Sequence, residues 1–159
     1  MLFAGEFPCK LDEKGRFAVP PSLRDHFAVP NSPEIKKAVL VKSQQERCLW
    51  LFPLPHWYAL LKVQQQRLTE QESRLFMHFM VADVVEVEID RASRVLIPRK
   101  LREENGIDEE VILVGMYDRL EVWSNNTWKA HISQLEEEHE LSLSKVLSMP
   151  SIEPSIPGD

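Results

Sequence analysis

Two pairs of residues in this chain have the types and the spacing to do chemistry: Asp12 with Arg16 in LDEKGR, and Asp90 with Arg94 in IDRASR. A carboxylate at the start of a chain reversal can accept backbone N–H groups from its own loop, which fixes the turn. A guanidinium four residues on has two uses. It can pair back to that carboxylate, or its planar fork can clamp a phosphate or read the edge of a guanine. Lys14 and Arg91 add a cation to each loop. Gly15 is free to take a positive φ, whereas Ser93 at the matching place is less permissive.

Enzymatic chemistry finds no comparable constellation. His26, His56, His78, His131 and His139 are scattered, outside any metal-ligand spacing such as His-Glu-x-x-His. The glycines form no phosphate-cradling loop, and Cys9 and Cys48 lack the Cys-x-x-Cys spacing of a zinc site. The chain therefore reads as a non-enzyme that needs no metal, no cofactor and no small-molecule substrate. Trp50, Trp57, Trp123 and Trp128 suit core packing or subunit contact better than a ligand cage. No run approaches the ~20 apolar residues that span a bilayer. The first residues, MLFAGEFPCK, lack the basic start and apolar run of a secretory signal. A cytoplasmic protein with reduced thiols and no membrane partner is expected.

The sequence around the two loops is a repeat. Leu11, Asp12, Arg16, Val19, Pro20, Leu23 and Arg24 correspond to Ile89, Asp90, Arg94, Ile97, Pro98, Leu101 and Arg102. AVLVK from Ala38 matches VILVG from Val111, and LWLFPLPHW from Leu49 matches LEVWSNNTW from Leu120. Each copy reads as two short hairpins around a helical turn, with both Asp-x-x-x-Arg stretches as hairpin loops. VVEVEI alternates as a half-buried strand does, and RKLREEN with Gly106 behind it reads as a short helix with a glycine cap. VILVG and LEVW are strands joined by a tight turn around Met116 to Arg119.

Thr69 and Glu72 stand at capping-box spacing, opening a helix whose stripe of Leu75, Phe76, Phe79 and Met80 should bridge the copies. A final helix is expected from about Thr127 to Ser144. Strands this short make poor free-standing sheets, so the copies should interleave around a pseudo-twofold axis. The expected division is 1–68 for the first repeat with its helix, 69–82 for the bridging helix, 83–144 for the second repeat with its helix, and 145–159 for a proline-rich, disordered tail.

The formal charge of −6 argues against indiscriminate nucleic-acid binding. Its distribution matters more. Acid concentrates in QLEEEHE (Gln134 to Glu140), while Lys10, Lys14, Arg16 and Arg24 cluster in the first motif and Arg91, Arg94, Arg99, Lys100 and Arg102 in the second.

The paired Asp-x-x-x-Arg loops, LDEKGR followed by VP, and CLWLFPLPHW together resemble the MraZ family of bacterial transcriptional regulators, from about Met1 to Gln134. That resemblance implies a mainly β fold with flanking helices: two tandem AbrB-like swapped-hairpin halves forming one pseudo-twofold β-barrel core. It implies a sequence-specific repressor of the division and cell-wall gene cluster, its own gene included, bound to repeated promoter sites on double-stranded DNA. It further implies a homo-oligomeric ring in the cytoplasm, associated with the nucleoid. Carried over residue by residue, the DNA-contacting motif falls on Asp12 and Arg16 and on Asp90 and Arg94. Lys14, Arg16, Arg91 and Arg94 become the expected DNA contacts, with Asp12, Gly15 and Asp90 as loop organisers. Phe3-Ala4-Gly5 stands where the family often has Phe-Arg-Gly, and Ser93 stands where a glycine commonly precedes the second arginine. The competing readings on the same fold are an antitoxin-like protein-binding module and an assembling scaffold.

Overall fold

A computed structural model describes residues 2–155. The chain divides into two compact units, Met1–Trp128 and Lys129–Asp159. In the first unit, the first repeat runs β1 (Glu6–Lys10), β2 (Arg16–Ala18), α1 (Pro21–Arg24), β3 (Ala28–Val29), β4 (Ser32–Lys42), β5 (Leu49–Pro53) and α2 (Leu54–Arg67). After α3 (Glu70–Phe79), the second repeat runs β6 (Val85–Glu88), β7 (Arg94–Leu96), α4 (Arg99–Glu104), β8 (Glu110–Gly115), β9 (Leu120–Ser124) and the start of α5 (Asn125–Glu138). α6 (Glu140–Val146) lies in the second unit. The fold is mixed α and β, with antiparallel strand pairing throughout.

Local chemistry sets these boundaries. Pro20 and Pro98 close β2 and β7 in extended backbone (ψ 136° and 144°) and hand the chain to α1 and α4. Gly106, at φ +63°, ends α4. The capping box of α3 is made in full: Glu72 N–H donates to Thr69 Oγ1 at 3.2 Å, and Thr69 N–H donates to Glu72 Oε1 at 3.0 Å. The tight turn after β8 is closed by Met116 N–H donating to Arg119 O at 2.9 Å.

Seven strands form one sheet in the order β1-β8-β9-β5-β4-β3, with β6 also paired to β4, while β2 and β7 form a separate ribbon. The repeats exchange their first strands. β1 pairs with β8 of the other copy, and β6 pairs with β4. The two halves then meet where β5 pairs with β9, with Trp50 opposite Glu121. The seven-stranded sheet does not close on itself.

Both faces of this sheet are covered, which explains the unbroken apolar runs in β4 and β8. Ala38 and Leu40 face the main core while Val39 and Val41 face a second cluster with Phe52 and Trp57. Val111 and Leu113 likewise face the main core, and Ile112 and Val114 pack with Cys48 and Trp123. Phe17 and Val95 of the ribbon, with Val19 and Ile97 just beyond its strands, complete the main core. Fully burying each such side chain is worth roughly 1.5–3 kcal/mol.

Three expectations are corrected. The Asp-x-x-x-Arg stretches are corners, not hairpin loops: each joins a strand of the sheet to a strand of the ribbon, because β1 and β2 have different partners. Leu75 and Phe79 are exposed and do not bridge the copies, while Met80 alone of that stripe packs on the second cluster. The final helix is two, α5 and α6, parted at His139 (φ −124°, ψ 28°). The last helix reaches into the tail expected from 145, and residues 156–159 lie outside the described residues. No helix among the described residues is long and apolar enough to cross a membrane.

Candidate nucleic-acid interface

The ribbon brings the two loops together. β2 and β7 run antiparallel with Arg16 opposite Leu96, Phe17 opposite Val95 and Ala18 opposite Arg94. Phe17 and Val95 are buried, so strand alternation turns Arg16 and Arg94 away from the core on the same side. Each loop is also stitched to the opposite repeat: Ile97 N–H donates to Gly15 O at 3.0 Å, and Val19 N–H donates to Ser93 O at 2.7 Å.

Inside each loop the aspartate organises the backbone. Asp12 Oδ1 accepts from Lys14 N–H at 3.0 Å and Arg16 N–H at 2.9 Å. Asp90 Oδ1 accepts from Ala92 N–H at 2.9 Å and Arg94 N–H at 2.8 Å. The residue before each arginine takes positive φ, +85° at Gly15 and +63° at Ser93. Glycine meets that demand without strain, whereas Ser93 meets it as a residue that carries a Cβ.

The other carboxylate oxygens face the guanidinia. Arg16 Nε donates to Asp12 Oδ2 at 2.7 Å, and Arg94 Nε donates to Asp90 Oδ2 at 3.2 Å. Each arginine also reaches across: Arg16 Nη1 lies 4.0 Å from Asp90 Oδ2, and Arg94 Nη1 lies 3.9 Å from Asp12 Oδ2. Two carboxylates and two guanidinia thus form one half-exposed, formally neutral cluster. Binding through Nε leaves a guanidinium oriented, with its outer edge able to meet an acceptor. At the loop tips Lys14 and Arg91 are exposed, and neither forms an ion pair among the described residues. All the residues expected at the interface, Lys14, Arg16, Arg91 and Arg94 with Asp12, Gly15 and Asp90, therefore lie on two adjoining corners.

The Arg16 backbone N–H, above all, holds the Asp12 carboxyl below the usual carboxylate range, and the Arg94 N–H does the same for Asp90. A carboxyl held low in the folded loop stabilises that loop above its ordinary value and stops doing so as pH falls through the lowered one. Protection of the Lys14 and Arg16 amides against hydrogen exchange is therefore expected to fall on acidification before the β4 and β8 amides respond. Asp12→Asn should remove that pH dependence from the first loop alone. Protection that stays level through the carboxylate range would show that the aspartates do not hold the loops.

Sequence reasoning missed two parts of this region. The crossing of Asp–Arg pairs between repeats depends on β2 pairing with β7, for which no local signal exists. Arg102, which donates from Nε to Ile97 O at 3.1 Å, was visible in the repeat as the partner of Arg24 but suggested no role by itself.

Elsewhere, Glu46, Cys48 and Glu121 place ligand-type atoms within 4.8 Å of one another. The partners of Glu121 give it a packing role. Glu121 accepts from the indoles of Trp50 and Trp123 at 3.0 Å each and from Arg119 at 3.5 Å, and the Arg119 guanidinium lies 4.6 Å over the Trp50 ring. Burial and the neighbouring carboxylates push the Cys48 thiol far up, which keeps it a protonated core group.

The family model described as "MraZ protein, putative antitoxin-like" matches residues 2–79 and again residues 80–147. A protein named transcriptional regulator MraZ from Pediococcus pentosaceus is 33% identical over 137 residues, covering 86% of this chain and 90% of that one. One of the same name from Moorella thermoacetica is 30% identical over 147 residues, covering 92% and 97%. One from Caldicellulosiruptor bescii is 34% identical over 128 residues, covering 80% and 84%. Two tandem matches on a chain that exchanges strands between two repeats leave little of it unexplained, and the chain belongs to the MraZ family, one of transcriptional regulators rather than enzymes.

Proposed function

We propose that this chain is a sequence-specific DNA-binding regulator, a repressor that acts on the division and cell-wall gene cluster through repeated promoter sites. The observation that carries the reading is the junction of two corners, each presenting an arginine oriented by its own aspartate, at one edge of a pseudo-twofold ribbon. Arg16 and Arg94 would take guanine edges or phosphates, with Lys14 and Arg91 on the flanking phosphates. The strand exchange supports an architecture of two AbrB-like swapped-hairpin halves around a pseudo-twofold core. The setting is the cytoplasm, in association with the nucleoid.

A chain of net charge −6 with four cations at its loops makes a weak single site. Affinity then comes from a homo-oligomeric ring whose subunits engage successive repeats, each later contact being made at high effective concentration. The test is a titration of the duplex immediately upstream of this chain's own gene, cut to one, two or three repeats. Binding should strengthen with repeat number and weaken steeply as salt rises. Equal affinity per site at every length would sink the multivalent account. No shift at low salt would leave the antitoxin-like role in the family's description as the better reading.

A further inference from the structure

The repeat is not quite symmetric where it matters most. Gly15 and Ser93 occupy matching places, as do Arg102 and Arg24. In the second repeat, the Arg102 guanidinium lies directly against Gly15. A Cβ built on Gly15 would come within 2.8 Å of Arg102 Cζ and 2.9 Å of its Nε, so the guanidinium would have to shift if this residue carried a side chain. That same Nε donates to Ile97 O, and Ile97 N–H donates to Gly15 O, so α4, β7 and the first loop are closed into one circuit.

The mirror circuit is broken. Val19 N–H still donates to Ser93 O, but Arg24 Nε is buried without a hydrogen-bond partner among the described residues. By the repeat, Ser93 carries a Cβ at the place matching the one that Arg102 lies against at Gly15. A buried donor without an acceptor costs free energy. The helix bearing Arg24 is also shorter, giving way to a 3₁₀ turn at Asp25–Phe27. Substitution at Ser93 separates these two causes.

We infer that Arg102 is a positioning residue for the Arg16 loop, clamping Gly15, and that Ser93 excludes Arg24 from the same role, so that one loop is rigid and the other adaptable. The DNA-binding part of this inference rests on the function proposed above; the clamp itself does not. A fixed first loop would present Arg16 in one orientation, suited to reading a base edge. An unclamped second loop would let Arg94 and Arg91 adjust to a neighbouring phosphate.

The test uses the full-length chain. Amide exchange is followed by mass spectrometry across residues 11–16 and 89–94 without DNA, and affinity is then measured for the duplex upstream of this chain's own gene. Arg102→Ala should speed exchange in the first loop only, leave the melting temperature near that of the parent, and weaken DNA binding roughly threefold to thirtyfold. Arg24→Ala should leave the second loop unchanged in the parent, yet speed its exchange in a Ser93→Gly background, a coupling that a double-mutant cycle isolates. If Arg102→Ala lowers the melting temperature sharply, Arg102→Lys offers a second route, since it removes the guanidinium while keeping the charge and the aliphatic stem. First-loop exchange that ignores both Arg102→Ala and Arg102→Lys would overturn the clamp. So would a second loop whose dependence on Arg24 is the same in the parent and in the Ser93→Gly background. Loosened exchange with unchanged affinity in a parent that binds DNA would overturn the positioning role. A parent that binds no DNA, with exchange behaving as expected, would overturn the proposed function and leave the clamp standing.

Discussion

Arg16→Ala is expected to abolish specific binding to the upstream duplex while the thermal melt stays within a few degrees of the parent. The two halves of that expectation come from different physics. On the DNA side, one good bidentate base contact contributes about 1–3 kcal/mol. In an oligomer engaging several repeats the loss recurs at each subunit, so the combined effect removes binding from the measurable range. On the folding side, Arg16 is bound to Asp12 at 2.7 Å and approaches Asp90 at 4.0 Å, with both carboxylates more than a third exposed. Solvent screens such pairs, and they contribute little. Arg94 also remains within 3.9 Å of Asp12, so that carboxylate is not left alone. The core beneath depends on Phe17, not Arg16. A variant that melts early but binds normally per folded molecule would make Arg16 a structural partner of Asp12 and nothing more. Measuring affinity and melting on the same preparation decides between them.

A chain ending at Met80 is expected not to fold as a monomer. The strand exchange gives the reason. Without the second repeat, β1 loses β8, β2 loses β7, β4 loses β6 and β5 loses β9. Only β3, β4 and β5 keep partners within the fragment. The main core would lose Val95, Ile97, Leu101, Leu113, Leu120 and Val122 together. At roughly 1.5–3 kcal/mol for each fully buried apolar side chain, that loss matches or exceeds the whole net stability of a typical domain, about 5–15 kcal/mol. Exposed edges of β1 and β4 would also be open to pairing with other chains. Because the repeats match, the one folded state open to the fragment is a dimer in which each copy's β1 lies on the other's β4. Sedimentation and circular dichroism over a range of concentrations would check this. A monomer with a sharp cooperative melt would show the halves to be independent.

By itself the sequence determined the features whose causes lie within a few residues. The Thr69–Glu72 capping box, the glycine end of α4, the turn at Met116–Arg119 and the strands AVLV and VILV all form as their local chemistry dictates. The repeat made two halves legible, and the aspartate-centred loops with them, because an Asx turn needs only its own backbone. Tertiary structure decided which strand each element pairs with. A first strand can satisfy its hydrogen bonds against any apolar edge, and only packing of the whole core selects β8 for β1 and β4 for β6. That choice turned the supposed hairpin loops into corners. It also drew Asp12, Arg16, Asp90 and Arg94 into one cluster across a separation that no spacing in the sequence encodes. The contrast between Gly15 and Ser93 was visible as two letters. Its consequence waited on the arrival of Arg102 from α4, because a missing Cβ matters only when something fills its place.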